Sequence, residues 1–450
     1  MGGRTYFWQV ALVVACCAAA VGARADESKE AKEFKNAKRG IQQQLRSRKS
    51  QTRVAAVRKL AEYPTTDAAR LLVQVGLSSQ DEDVCKAAHE VLLQFREIQE
   101  VCDYLVTEVK KSVNRGGADP GTCRLLAVLL ASKLDGVEKR AMDLLEAAAA
   151  SPKGGVLLLV SLADELGDEG GEINTSTLVT LSKSPLMDRD FALRRAVVQA
   201  LTRVDQIEAV DALLDLIYSV KGEVRADILV YLCGITGQQF GLDGKAWHAW
   251  WEANREGFTF PPVAQRAAGR AALVAKTTSY YGLPVYASRL LFILDTSASM
   301  KGARIEAAKR ELINAITNLP TGVYFGVLVF NSRVTAWQND LMPANPVNKE
   351  LAAAFVRLQG LALQTASFDA LEAAFNFDTE AVYFLTDGEP YGGKITKPDE
   401  IVSVIGKLNR ARRMTINTIG IGVEQPGSVF DRFLKSLAEQ NYGEYKRVDQ

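Results

Sequence analysis

Histidine is nearly missing from this sequence: of its 450 residues only His89 and His248 carry an imidazole. That argues against a multi-histidine metal centre and against enzymes that need a histidine base. Charge of one sign is also lacking. Lys+Arg number 54 and Asp+Glu 53, so composition gives no sign of a nucleic-acid partner. The apolar share is 48% and the charged share 24%, the mix of a folded soluble chain. No run reaches the ~20 apolar residues of a membrane span. The length suits two or three domains. Cysteine is sparse, with no C-x-x-C pair.

The first 25 residues read as a secretion signal. Arg4 precedes an apolar run from Tyr6 to Val21, and Ala23-Arg24-Ala25 supplies a small-x-small cleavage site. Cleavage is placed after Ala25. Lipidation at Cys16, after Val13-Val14-Ala15, and a retained anchor rank below it. The expected location is therefore outside the cytoplasm: periplasm, cell envelope or secreted. Cys85, Cys102, Cys123 and Cys233 remain after cleavage and read as buried free thiols on helices, with pairing left open.

Residues 26–255 read as stacked helices. Val84, Ala88 and Leu92 recur at i, i+4 and i+8, as do Leu193, Val197, Leu201 and Val224, Ile228, Leu232; Thr52, Ala56 and Leu60 are a weaker copy. A helix pair of this kind buries its stripe only by stacking on neighbours. The region resembles the HEAT-repeat superfamily, which implies an α-solenoid and a protein-binding surface; an irregular helical bundle is the alternative. Trp247, Trp250 and Trp251 share one helix face and are expected to cap its end. His89 reads as structural. His248 faces away from the tryptophans and reads as solvated. Residues 256–287 read as a linker, with Tyr280–Tyr286 as an extended lead-in.

Residues 288–450 alternate strand and helix. Leu290-Leu291-Phe292-Ile293-Leu294 is a strand buried on both faces, and Tyr324–Phe330, Val382–Thr386 and Thr415–Ile421 are further strands. Helices are expected over Arg304–Leu319, Leu351–Leu358, Phe368–Phe377, Pro398–Arg412 and Val429–Gln440. The expected class is thus α plus α/β, with a doubly wound, Rossmann-like second part whose ligands sit beyond the carboxyl ends of the strands. Asp295 and Asp387 stand at two such ends, with Ser297, Ser299 and Thr365 on nearby loops. Two carboxylates and several neutral hydroxyls make an all-oxygen set for a hard cation, Mg²⁺ first, then Mn²⁺ or Ca²⁺.

Asp295-x-Ser297-x-Ser299, then Thr365, then Asp387-Gly388 resemble the metal-ion-dependent adhesion site of von Willebrand factor type A (VWA) domains. The resemblance implies that Ser297 and Ser299 ligate the metal directly, and that Thr365 joins them directly or according to ligand state. It implies that Asp295 and Asp387 act through water and that an acidic residue of a protein partner takes the open position. Leu363-Gln364 replaces the Gly-Gly that often precedes the threonine, and Asp369 fits a helix start. The expected function is metal-dependent protein binding by an exported chain of a bacterial envelope, without turnover. The alternatives are an assembly component with a purely stabilising metal and a divalent-metal hydrolase. Ser297 and Ser299 have no histidine base within 288–450, and Gly420-Ile421-Gly422 is not a nucleotide fingerprint. A phosphoryl-accepting Asp295 wants aspartate two residues on, where Ser297 stands. Arg410, Arg412 and Arg413 read as a solvated helix end.

Overall fold

The computed structural model describes residues 32–115, 119–150, 155–266, 278–422 and 426–448. The expected secretion signal, with Cys16, lies outside them. No helix among the described residues is long and apolar enough to cross a membrane. The chain forms two compact units, one ending at Glu165 and one starting at Leu166.

The first unit is helical throughout its described residues, consistent with repeats. The periodic positions are its core: Ala56 and Leu60 in one place, Val84, Ala88 and Leu92 in the next, are buried. Gly76 lies in a π-helical turn, Leu72–Leu77, where an added Cβ would stand 2.5 Å from that of Ala88. Its missing side chain lets helix Glu82–Gln94 approach. Cys85, Cys102 and Cys123 are buried free thiols here, as is Cys233 in the second unit.

The second unit joins the last helices to a sheet. Helices Phe191–Leu201 and Gly222–Thr236 carry the other two periodic stripes, buried, with helix Ile207–Leu216 between them in sequence. Helix Gly244–Asn254 closes this part. Trp247 and Trp251 are buried, and the Trp251 indole N–H donates to Asp211 over 2.7 Å. His248 differs from the expectation: it is half-buried, stacked on Tyr218 and 3.0 Å from the Leu214 carbonyl.

A short hairpin, β1 Ser279–Tyr280 and β2 Leu283–Pro284, precedes the main strands. These are β3 Arg289–Asp295, β4 Tyr324–Phe330, β5 Val334–Ala336, β6 Met342–Pro343, β7 Ala381–Thr386, β8 Thr415–Ile421 and β9 Tyr445–Val448. The order is β5-β4-β3-β7-β8-β9, with β6 also on β4. β3, β4, β7, β8 and β9 pair in parallel; β5 and β6 are antiparallel additions. Alternate residues of β3 enter different cores. Leu290, Phe292 and Leu294 pack with helices Ala303–Thr317 and Pro346–Arg357, and with Tyr280 and Leu283 of the hairpin. Leu291 and Ile293 pack with helices Ser367–Ala374, Pro398–Asn409 and Val429–Glu439. That two-faced burial is why the strands read as unbroken apolar runs.

The amino ends of the strands meet the helical part directly. Arg195, fully buried, pairs with Asp227 at 2.7 Å and donates to the Thr415 hydroxyl at 2.8 Å and to the Arg413 carbonyl at 2.7 Å. Thr415 donates to Glu223, also fully buried, over 2.8 Å. Glu380 accepts from the Ser288 hydroxyl at 2.6 Å, and burial raises its carboxyl above the usual range. Arg413 therefore corrects the sequence expectation. It is not a solvated helix end; it is 2% exposed, in contact with Gln199 and set over the Tyr442 ring.

Candidate metal centre

The chain leaves β3 for β4 on one side and later returns to β7 on the other. A parallel sheet opens a crevice at such a switch point, beyond the carboxyl ends of the diverging strands. Asp295 ends β3 and Asp387 follows β7, so the two carboxylates flank it.

Asp295 is fully buried. One oxygen accepts the Ser297 backbone N–H at 2.7 Å, and the other accepts the Thr386 hydroxyl at 2.5 Å. Both donors are neutral. Burial is the largest influence on the carboxyl and pushes it up to about 6 against the hydrogen bonds from Thr386 and from the Ser297 backbone and side chain, with the negative charge of Asp387 adding to the rise. Ser297 Oγ and Ser299 Oγ are 2.9 Å apart, and Ser299 Oγ donates to Asp387 over 2.8 Å. The loop is pinned by a short 3₁₀ turn, Ala298–Met300, whose Met300 is buried. Gly302 then takes φ +87°, freely available to glycine, and turns the chain into helix Ala303–Thr317.

Hydrogen bonds thus join Asp387, Ser299 and Ser297, while Asp295 holds the Ser297 backbone. Thr365 is brought alongside by backbone. Ala362 N–H donates to the Thr296 carbonyl at 3.1 Å, and Thr365 exchanges two bonds with Tyr391, at 2.7 and 3.0 Å. Thr365 is buried, and its hydroxyl is not part of the hydrogen-bonded array. Gln364 before it has φ +69°, and its side chain lies against Gly392. A left-handed residue with a Cβ costs roughly 1 kcal/mol, which accounts physically for glycine being common at this place. Asp369 sits in the first turn of helix Ser367–Ala374 and accepts the Lys394 N–H at 3.0 Å; it ties two loops rather than joining the array.

Two participants escaped the sequence reading. Thr386 holds Asp295; its signal was a hydroxyl one residue before Asp387. Arg304 reaches Asp387 with Nη1 3.1 Å from Oδ2. Its signal was a basic residue in the first helical turn, two residues after Gly302 and four after the buried Met300.

The donor set fits a divalent cation: every side chain is oxygen-bearing, and the Asp295 carboxylate is buried with only neutral donors on it.

The family model for the von Willebrand factor type A domain matches residues 288–447. Inter-alpha-trypsin inhibitor heavy chain H3 of Mesocricetus auratus is 28% identical over 183 residues, 37% of this chain and 20% of that one. Von Willebrand factor A domain-containing protein 3B of Homo sapiens is 30% identical over 158 residues, 35% of this chain and 11% of that one. The chain therefore spans a fifth or less of the length of these curated relatives. A solved structure, von Willebrand factor type A from Catenulispora acidiphila, aligns with TM-score 0.32 at 20% identity, over 36% of this chain and 38% of that chain. With the family model on these residues, the doubly wound sheet and the motif order in agreement, residues 288–447 are a von Willebrand factor type A domain, preceded in this chain by a helical region.

Proposed function

We propose that this chain is an exported, metal-dependent protein-binding protein of adhesion or scaffold type. The observation that carries the reading is the array at the switch point: Asp295 and Asp387 with Ser297 and Ser299 between them, and Thr365 alongside. Those five residues would hold Mg²⁺, with Mn²⁺ or Ca²⁺ as substitutes. The bound ion supplies a Lewis-acidic position for one carboxylate of a partner protein. The chain's own residues prepare that event. Thr386 and the Ser297 N–H fix Asp295, Met300 anchors the serine loop, and the Thr365–Tyr391 pairing holds the third loop. Export rests on residues 1–25, and the helical region is read as a second docking surface. No turnover is part of the proposal, since neither His89 nor His248 belongs to this domain to serve Ser297 or Ser299 as base.

The test is a capture assay from an envelope fraction with and without chelator, run on wild type and Asp295→Ala, alongside melting curves. Binding expects metal-dependent capture that vanishes in a folded Asp295→Ala chain. A purely stabilising metal expects a lowered melting temperature and no metal-dependent capture. Metal-dependent turnover of phosphoester or peptide libraries would replace both readings with a hydrolase.

A further inference from the structure

Arg304 stands in the first turn of helix Ala303–Thr317, its guanidinium on Asp387. The guanidinium also lies on Gly422, just past β8. An added Cβ at Gly422, where φ is +64°, would come within 3.0–3.1 Å of Nη2, Cζ and Nε. The seat exists because no side chain is there. The remaining Asp387 oxygen accepts from Ser299, which is bonded to Ser297. Arg304 is therefore wired to the hydroxyls that would hold a cation, and its side chain keeps 29% exposure to solvent. Asp295 has no comparable partner; its donors, from Thr386 and Ser297, are neutral.

We propose that Arg304 sets the charge of this centre, so that a divalent ion binds weakly alone and firmly only together with an outside carboxylate. The inference rests on the metal-binding reading above. Two carboxylates facing one guanidinium leave a single net negative charge. A divalent ion turns that to a single positive charge, and one partner carboxylate brings it to zero. Without Arg304, Asp295 and Asp387 alone balance the ion, and an incoming acid adds excess negative charge. A guanidinium suits the role because it stays charged at every working pH and lies flat on a backbone seat. A fixed unit charge beside a divalent ion in a half-buried site alters its affinity by roughly tenfold or more.

The experiment titrates Mn²⁺ by calorimetry into the full metal-free chain, with and without acetate as the carboxylate probe. The samples are wild type, Arg304→Gln, Arg304→Lys and Asp295→Asn. Arg304→Gln is expected to bind Mn²⁺ alone roughly tenfold more tightly. Acetate should tighten Mn²⁺ on wild type and on Arg304→Lys, and not on Arg304→Gln. Equal or weaker Mn²⁺ binding by Arg304→Gln overturns the proposal, as does an acetate response identical to wild type. If Arg304→Gln does not fold, Gly422→Ala crowds the guanidinium off its seat with the charge retained; tighter Mn²⁺ binding supports the proposal, and unchanged binding overturns it. Wild type that takes up no more Mn²⁺ than Asp295→Asn even with acetate present refutes the metal reading and this inference with it. Uptake lost only in Asp295→Asn, with Arg304→Gln like wild type, refutes the Arg304 assignment alone.

Discussion

Asp295→Asn should make the metal-free chain more stable while removing its response to metal. The carboxyl is fully buried and burial pushes it up to about 6, against an ordinary 3.8. A carboxyl raised on folding favours the native state while protonated. Its contribution is fully present below about pH 4 and is lost as pH rises through about 6. At about 1.36 kcal/mol per pH unit, ionised Asp295 costs the fold about 3 kcal/mol at neutral pH relative to its protonated form. The amide avoids that cost and finds partners. Its oxygen accepts the Ser297 N–H, and its NH₂ donates to Thr386 Oγ1, whose hydroxyl turns to the Gly388 carbonyl, 3.4 Å away. The assay is urea unfolding in chelator across the acid-to-neutral range, wild type against Asp295→Asn. The difference should be small near pH 4 and grow to about 3 kcal/mol in favour of the variant above pH 7. Mn²⁺ should then restore wild type and leave the variant unchanged. Parallel pH profiles, or a variant less stable than wild type at neutral pH in chelator, would refute the reasoning.

Three further outcomes follow from the same geometry. Arg195→Met takes the buried guanidinium away from Asp227 and Glu223 and removes the bonds to Thr415 and Arg413; it should cost about 3 to 5 kcal/mol in urea unfolding, and a loss under about 1 kcal/mol would contradict the network. Gly393→Ala places a Cβ 1.9 Å from Asp369 Oδ2 at φ +83°, so a loss of at least ~2 kcal/mol is expected, and a neutral result would place this loop elsewhere. Trp251→Phe removes the donor to Asp211 while keeping an aromatic ring; a drop of about 1 to 2 kcal/mol is expected, and unchanged stability would show that the bond contributes nothing net.

The strands at the centre of the sheet were legible because parallel strands covered on both faces need unbroken apolar runs. Tyr324–Phe330 and Thr415–Ile421 match the structure residue for residue. The edge strands β5, β6 and β9 were not legible. They are two to four residues long and half-exposed, so neither alternation nor apolar content marks them. Helices Pro346–Arg357 and Pro398–Asn409 both begin on a proline, which the sequence used for one and missed for the other. That Asp295, Ser297, Ser299 and Asp387 stand at the carboxyl ends of β3 and β7 was readable because motif spacing at strand ends fixes backbone neighbours. Arg304, Thr386 and the left-handed Gln364 were not, since a partner 83 or 91 residues distant in sequence or a positive φ leaves no local pattern.

Periodicity and local chemistry are written in the order of residues: helical stripes, buried strands, and carboxylates and hydroxyls at the ends of β3 and β7. Those depend on residues within a turn or two of each other. How distant charges pair is settled by packing alone. Arg195, Glu223 and Asp227 meet the amino ends of the strands around Thr415, and Arg304 meets Asp387 over Gly422 at the carboxyl ends. A charge on a helix surface looks the same in sequence whether it faces water or a carboxylate far along the chain. Burial, which sets its energy, exists only once the layers have closed.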